Sequence, residues 1–371
     1  MSHSRAAVLL DLPGLNALVS RLAKRKRVLG PVERDGAVRY EDVTSVDDLP
    51  KGWVSEQAGG HYRLAKSGEA LFGYVIGPDS WKRFLHPPRQ RIWQAEAGAE
   101  GAPPVIHPEP PPDKPMAFLG VRGCELAAIA VQDRVFMQGP YRDPHYAARR
   151  ASAFIVAVNC DRAVSTCFCP SMGTGPAAGA GHDICLTEIE EGRTFLAEAG
   201  SGKGAELLAL LPSRPAREEN LAAATALTER AEAQIARRID TKDLPGLLQS
   251  NPEHPRWDDV ARRCLNCANC TMVCPTCFCT ETVETSSLDG KSAARESRWA
   301  SCFTLDFTHV HGGGPLRHSP KSRYRQWMTH KLDTWHDQFG QSGCTGCGRC
   351  ITWCPVGIDI TEEVAAIRRE P

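Results

Sequence analysis

The 371-residue chain lacks net charge, since 44 Lys and Arg balance 44 Asp and Glu. Without a basic excess, no global field draws it toward nucleic acid or anionic lipid. The local run Arg21, Lys24, Arg25, Lys26, Arg27 reads as a solvated helix end. No apolar run approaches the roughly 20 residues of a membrane helix. The N-terminal stretch MSHSRAAVLLDLPGLNALVS is interrupted by Asp11 and Pro13, which argues against a signal peptide. These absences predict a cytoplasmic location with no membrane partner, where disulfides rarely persist. A nucleotide loop is missing too. GSGKG (residues 200–204) has neither the upstream glycine nor the Ser or Thr that a P-loop needs, and reads as a turn before a helix. No G-x-G-x-x-G follows a strand, and no Ser/His/Asp grouping or paired-carboxylate motif announces a catalytic site. Cysteine is absent before Cys124.

What is present is cysteine in two groups. Five lie between Cys124 and Cys185, and eleven between Cys264 and Cys354. In a reducing compartment, 16 cysteines point to metal or redox chemistry. Their uneven spread also suggests a division: an α/β part over residues 1–250 and a helical, ferredoxin-like part over residues 251–371. The proline-rich residues 244–258 would be the linker. In the first part, AFLGV (117–121) and AFIVAV (153–158) read as buried strands, with helical spacing over residues 125–136 between them. Strand, helix, strand fits a parallel α/β unit. Residues 205–211 and 218–237 read as helices, and residues 96–114 as a surface loop. The second part reads as helices between cysteine clusters. Tyr324, Trp327, Met328, Lys331, Leu332, Trp335 and Phe339 share a helical stripe that ends at Gly340. The fold class expected is α+β.

Cys264, Cys267, Cys270 and Cys274, followed by Pro275, spell C-x2-C-x2-C-x3-C-P. Cys344, Cys347, Cys350 and Cys354, followed by Pro355, repeat it. This is the ligand run of bacterial [4Fe–4S] ferredoxins. Three thiolates on one tight loop can reach three corners of a cubane. Asn266, Ala268, Asn269, Gly346 and Gly348 keep the two loops compact and let backbone N–H groups approach sulfur. Structural zinc, the alternative, usually takes two well-separated C-x-x-C pairs. In two-cluster ferredoxins the fourth cysteine of each run serves the other cluster. Cluster 1 is therefore expected on Cys264, Cys267, Cys270 and Cys354, and cluster 2 on Cys344, Cys347, Cys350 and Cys274. The 69 residues between the runs exceed what a compact β-rich ferredoxin holds.

Four more thiols suggest a third cluster. Cys124 follows the first expected strand at a helix start, which would favour its thiolate. Cys160 follows the second strand, and Cys167 and Cys169 lie on the next loop. Carboxyl ends of parallel strands share one edge of a sheet, where ligands bind. The bland alternative is buried, inert thiols. Cys277, Cys279 and Cys302 form a rival group with only three thiolates, and Cys185 reads as an ordinary strand residue. SMGTGP (171–176) and the glycines after it could cradle a phosphate, and with it a flavin, or could be a plain turn.

Longer stretches carry a resemblance: GYVIGPDSWKRFLHPP (73–88), LGVRGCELAAI (119–129), CFCPSMGTGP (167–176), CPTCFC (274–279), RYRQWMTHK (323–331) and CTGCGRCITWCPVGIDITEE (344–363). With these, the chain resembles the iron–sulfur β subunits of cytoplasmic sulfhydrogenases, the NAD(P)-linked [NiFe] hydrogenases. It is also similar to the iron–sulfur subunits of anaerobic sulfite reductases, which belong to the same family. Pro and Asp often flank the family's counterpart of Cys124, where this chain has Gly123 and Glu125 and so keeps an acid. The resemblance implies a helical ferredoxin domain in an electron-carrying subunit. Its implied partners are an FAD- and NAD(P)-binding subunit together with separate catalytic subunits, of the hydrogenase type first and the sulfite reductase type second.

Overall fold

The computed structural model describes residues 7–99, 102–110 and 114–369. The fold is α+β. Its centre is an eight-stranded sheet. From one edge to the other run Arg214–Pro215, Ala7–Leu10, Thr194–Ala199, Ile184–Glu190, Phe154–Val158, Met116–Val121, Arg27–Arg34 and Ala37–Asp42. The four strands Ile184–Glu190, Phe154–Val158, Met116–Val121 and Arg27–Arg34 pair in parallel. Every residue of Met116–Val121 and of Phe154–Val158 is buried, as expected of parallel strands covered on both faces. One face packs on the helix Leu12–Ala23, whose Leu15, Leu18 and Val19 are fully buried. The other packs on Trp81, Leu126, Ile129 and Tyr146. The expected strand–helix–strand unit is present, with the helix Gly123–Met137 and a second helix, Pro144–Ser152, in the crossover. Cys185 lies on Ile184–Glu190 as a strand residue. Ser201 caps the helix Gly202–Leu208, so GSGKG, expected as a turn before a helix, is the cap and first turn of the helix itself.

Three expectations are corrected. Residues 244–258 are not a bare linker but contribute two helices, Leu244–Ser250 and Arg256–Arg263. Their Leu244, Leu248 and Trp257 are buried in the cysteine-rich core. Pro245 and Pro255 start helices here rather than break them, because proline at a helix start loses no hydrogen bond, while Pro252 lies in the turn between the two. Between the two cysteine runs the chain is not all helix. Thr280–Ser286 and Ser292–Trp299 form a β-hairpin that pairs with Arg89–Glu96, which pairs in turn with Val105–Pro108. That four-stranded sheet draws strands from both parts of the chain. Residues 96–114, expected as loop, thus hold an edge strand; residues 100, 101 and 111–113 of that stretch lie outside the described residues.

The stripe of Tyr324, Trp327, Met328, Leu332 and Trp335 is buried as expected, and Gly340 ends it in the left-handed region at φ 70°. It runs through the helix Pro320–Thr329, a π turn at His330–Thr334 and the helix Trp335–Phe339. Phe168 of the first part inserts into the same core, fully buried. Burial of such a ring contributes about 2–3 kcal/mol. Among the described residues, no helix is long and apolar enough to cross a membrane.

Candidate metal centres

The two ferredoxin-type loops have the same local geometry. Asn266 and Ala268 take positive φ of 52° and 65°, and Gly346 and Gly348 take 64° and 75°. The turn aims backbone N–H groups at sulfur. Asn266 N donates to Cys264 Sγ at 3.4 Å, and Gly346 N donates to Cys344 Sγ at 3.4 Å. Ile358 N donates to Cys354 Sγ at 3.3 Å. The two glycines answer a second constraint. A Cβ on Gly346 would lie 2.6 Å from Cys169 Cα, and one on Gly348 would lie 2.3 Å from the Thr166 carbonyl oxygen. The second loop is pressed against the 166–169 segment, and only glycine permits that approach.

The thiols surround three cavities. The first is lined by Cys264, Cys267, Cys270 and Cys354 together with Cys350, Phe303, Tyr324 and Trp327. The second is lined by Cys344, Cys347, Cys350 and Cys274, with Thr276 and Lys331. Each cavity therefore gathers three cysteines of one run and the fourth of the other. The third is lined by Cys124, Cys160, Cys167 and Cys169, with Arg122, Pro176 and Cys347. Cys350 borders the first and second cavities, and Cys347 borders the second and third. The order along the molecule is first, second, third. Cys277, Cys279 and Cys302 line none of these three. They sit near the base of the hairpin, where Lys82 Nζ donates to the Cys277 carbonyl at 3.1 Å and stands 3.8 Å over the Trp299 ring.

The linings fit a metal group that accepts hydrogen bonds at sulfur. Buried donors without a protein partner stand at each cavity: Tyr324 Oη and Trp327 Nε1 at the first, Thr345 Oγ1 and Trp327 Nε1 at the second, and Arg122 Nε at the third. A buried donor left unpaired costs about 1–3 kcal/mol, so the recurrence points to an acceptor that belongs there. The thiols say the same. Burial pushes Cys167 and Cys344 up to about 12. Burial, then Cys302 and Cys264, push Cys270 well up. Cys124 is raised by burial and by Cys169 and Cys347. The expected help from the helix start does not prevail there, because desolvation of a buried thiolate outweighs a helix-end dipole. Coordination to a metal deprotonates a thiol outright, which resolves the cost. Among the described residues no three Cys, His, Asp or Glu side chains close around one bare ion. The thiols stand instead around cavities, as the corners of a cluster require.

Cationic groups gather at the second and third cavities. Lys331 Nζ donates to Cys274 Sγ at 3.4 Å. Burial alone would lower Lys331, but the facing thiols of Cys274, Cys277 and Cys344 outweigh it and raise it well above the usual lysine value. Cys274 is lowered by a hydrogen bond from Cys277, with help from Lys331 against burial. Burial lowers Lys82 to about 8, opposed by Cys277 and Cys274. At the third cavity, Arg122 donates to the carbonyls of Asn159, Phe72 and Tyr74 at 2.8, 2.5 and 2.9 Å.

The third cavity is joined to the second by a dense seam. Phe168 N donates to the Gly346 carbonyl at 2.9 Å, and Thr174 Oγ1 to the Thr345 carbonyl at 2.6 Å. Arg349 pairs with Glu125 at 2.6 Å, both 1% exposed, and donates to the carbonyls of Gly77 and Asp79. Glu125 also accepts from Tyr40 Oη and from Trp81 Nε1. The acid beside Cys124 is thus the anchor of the seam. Sequence reasoning missed Arg122, Arg349, Thr276 and the role of Lys331. The one available signal was a lysine in an otherwise aromatic and aliphatic stripe. The SMGTGP loop, considered for a phosphate, packs at the third cavity: Pro176 lines it, and a Cβ on Gly175 would stand 3.3 Å from Cys169 Sγ.

Residues 263–358 match the 4Fe-4S dicluster domain family. Over 351 residues, 94% of each chain, the sequence is 29% identical to sulfhydrogenase 2 subunit beta of Pyrococcus furiosus. No solved structure matches the chain. The chain therefore carries an iron–sulfur dicluster domain at residues 263–358 and, over nearly its whole length, is similar to a sulfhydrogenase β subunit.

Proposed function

We propose that this chain is an iron–sulfur relay of a multi-subunit oxidoreductase, holding three [4Fe–4S] centres in a row. Cys264, Cys267, Cys270 and Cys354 hold the first, and Cys344, Cys347, Cys350 and Cys274 hold the second. Cys124, Cys160, Cys167 and Cys169 hold the third. The carrying observation is that each of two cavities is lined by three thiols of one run and the fourth of the other. The third centre is supported by four thiols and an unpartnered arginine N–H around one cavity. When bound, the clusters supply one-electron transfer. The chain's own residues do the rest. Backbone N–H groups at Asn266, Gly346 and Ile358 donate to ligand sulfurs. The aromatic wall of Phe303, Tyr324 and Trp327 keeps water from the inner side of the first site. Shared walls at Cys350 and Cys347 keep neighbouring centres close.

A relay without a catalytic site of its own passes electrons between partners. The similarity to a sulfhydrogenase β subunit supports a hydrogenase-type complex, with a flavin subunit handling NAD(P)H on one side and the catalytic subunits on the other. Anaerobically isolated protein is expected to carry about twelve iron atoms and as many sulfides per chain, four per cluster. Cys354→Ser is expected to perturb the centre of Cys264, Cys267 and Cys270 while leaving that of Cys344, Cys347 and Cys350 unchanged by EPR. Stoichiometric zinc without sulfide refutes the reading. A Cys354→Ser spectrum altered only at the second centre refutes the exchange of fourth ligands.

A further inference from the structure

The three cavities differ in one respect that their ligands do not explain. Each is ringed by cysteines, yet no lining residue of the first is charged. The second contains the ammonium of Lys331, and Lys331 is only 3% exposed.

Local structure places that ammonium deliberately. Lys331 sits in the π turn His330–Thr334, between two α-helical segments, and Lys331, Leu332 and Asp333 are buried in succession. Single π turns inside helices often mark functional positions. The turn also grips the second cysteine loop by its backbone. The Lys331 carbonyl accepts from Gly343 N at 2.8 Å and from Ser342 Oγ at 3.4 Å. The side chain returns to the same loop. Its three N–H donors reach Cys274 Sγ at 3.4 Å, Thr276 Oγ1 at 3.0 Å and the Gly343 carbonyl at 3.3 Å. Thr276 Oγ1 lies 3.1 Å from Cys274 Sγ and 2.6 Å from the Gly343 carbonyl. All of these partners are neutral or thiol groups, so no carboxylate among them cancels the lysine charge. A buried cation that lacks a carboxylate is costly on its own account. It is stable here when the facing group is anionic.

We propose that Lys331 is a positioning residue that sets the reduction potential of the second centre, raising it above the value its four thiolates alone would give. The proposal rests on the iron–sulfur reading above. Reduction adds one electron to the cluster and forms or breaks no bond. The electron comes from a reduced partner in the complex, or from dithionite in a titration. The added negative charge appears beside a fixed positive one in a site of low dielectric, so the reduced form gains more than the oxidised form. Hydrogen bonds to sulfur act in the same direction. Because Lys331 is buried, salt screens this effect little. The middle of the row then holds an electron more readily than it would without the lysine.

The test uses the full chain, anaerobically loaded, as parent and as the variants Lys331→Met, Lys331→Gln and Lys331→Arg. Iron and sulfide per chain are measured first, and then each centre is titrated with dithionite under EPR. Lys331→Met and Lys331→Gln are expected to keep full iron and sulfide while one midpoint potential moves negative. The signal that moves should be the one altered by Cys274→Ser. Lys331→Arg, which keeps the charge, should restore the parental potential. Unchanged potentials in both neutral variants at full iron content overturn the proposal and leave the cluster reading intact. Loss of the second centre from both neutral variants also overturns it, since the lysine would then build the site rather than tune it. A parent chain without iron and sulfide overturns the cluster reading itself, and this proposal with it.

Discussion

Replacing Glu125 by Gln tests whether the seam between the second and third cavities is held as described. The carboxylate is 1% exposed and spends both oxygens: Oε1 accepts from Arg349, and Oε2 accepts from Tyr40 Oη and Trp81 Nε1. Glutamine has nearly the same shape but only one acceptor oxygen. Whichever way it turns, its NH2 faces either the Arg349 guanidinium or the Tyr40 and Trp81 donors. Arg349 also loses its carboxylate partner and keeps the neutral carbonyls of Gly77 and Asp79. Breaking a buried pair by removing one partner costs about 3–5 kcal/mol. The two remaining carbonyls offset part of that, so the lower end, about 3 kcal/mol, is expected. The assay is denaturant unfolding at matched iron content, followed by far-UV circular dichroism and by cluster absorbance. The double variant with Arg349→Met should lose less than the two single variants together, because no lone charge remains buried. If Glu125→Gln alone shifts stability by under about 0.5 kcal/mol, the size of an ordinary surface change, then the seam is not anchored by this pair. Glu125 follows Cys124 and Arg349 precedes Cys350, so loosening the pair should also broaden the EPR signals of the second and third centres before it touches the first.

Gly348→Ala should be poorly tolerated. Its Cβ would meet the Thr166 carbonyl oxygen at 2.3 Å in a backbone at φ 75°, and the left-handed region alone costs about 1–2 kcal/mol. A lower thermal midpoint with loss of third-centre iron is the expected result, and an unchanged midpoint refutes the close packing. His86 should impose an acid-side slope. Burial, with Lys82 nearby, lowers it from 6.5 to about 4. The folded state therefore resists protonation that the unfolded chain accepts. Stability is complete above pH 6.5 and falls toward pH 4, by up to ~1.4 kcal/mol per pH unit. His86→Phe, which can keep the ring contacts with Phe136 and Trp299, should flatten that slope in pH-dependent unfolding; an unaltered slope removes His86 as its cause.

Much of the site was legible because its determinants are local. Cys264, Cys267 and Cys270 fall on one tight loop by spacing alone, as do Cys344, Cys347 and Cys350. The buried parallel strands showed as apolar runs, since a strand covered on both faces has no polar side to reveal. The helix Gly123–Met137 and the stripe on Pro320–Phe339 followed from their periodicity. The exchange of Cys274 and Cys354 was expected from the ferredoxin ligand rule, and each of the two thiols lines the cavity of the other run.

Only the tertiary structure decided what depends on distant pairing. Residues 280–299 carry two polar strands, the mostly exposed TETVETS and the half-buried SAARESRW, with no apolar alternation to mark them. Ser292–Trp299 is a strand because Arg89–Glu96, about two hundred residues away, supplies its backbone partners, and Thr280–Ser286 pairs on its other side. The prolines of residues 244–258 look alike in sequence whether they break a chain or begin a helix, and burial of Leu244, Leu248 and Trp257 settled the matter. No spacing rule brings Lys331 to Cys274, or Arg349 to Glu125 across 224 positions. Charge complementarity acts between side chains that the fold must first bring together. The sequence could therefore announce which thiols gather on which loop, while the field those thiols sit in belongs to the assembled fold.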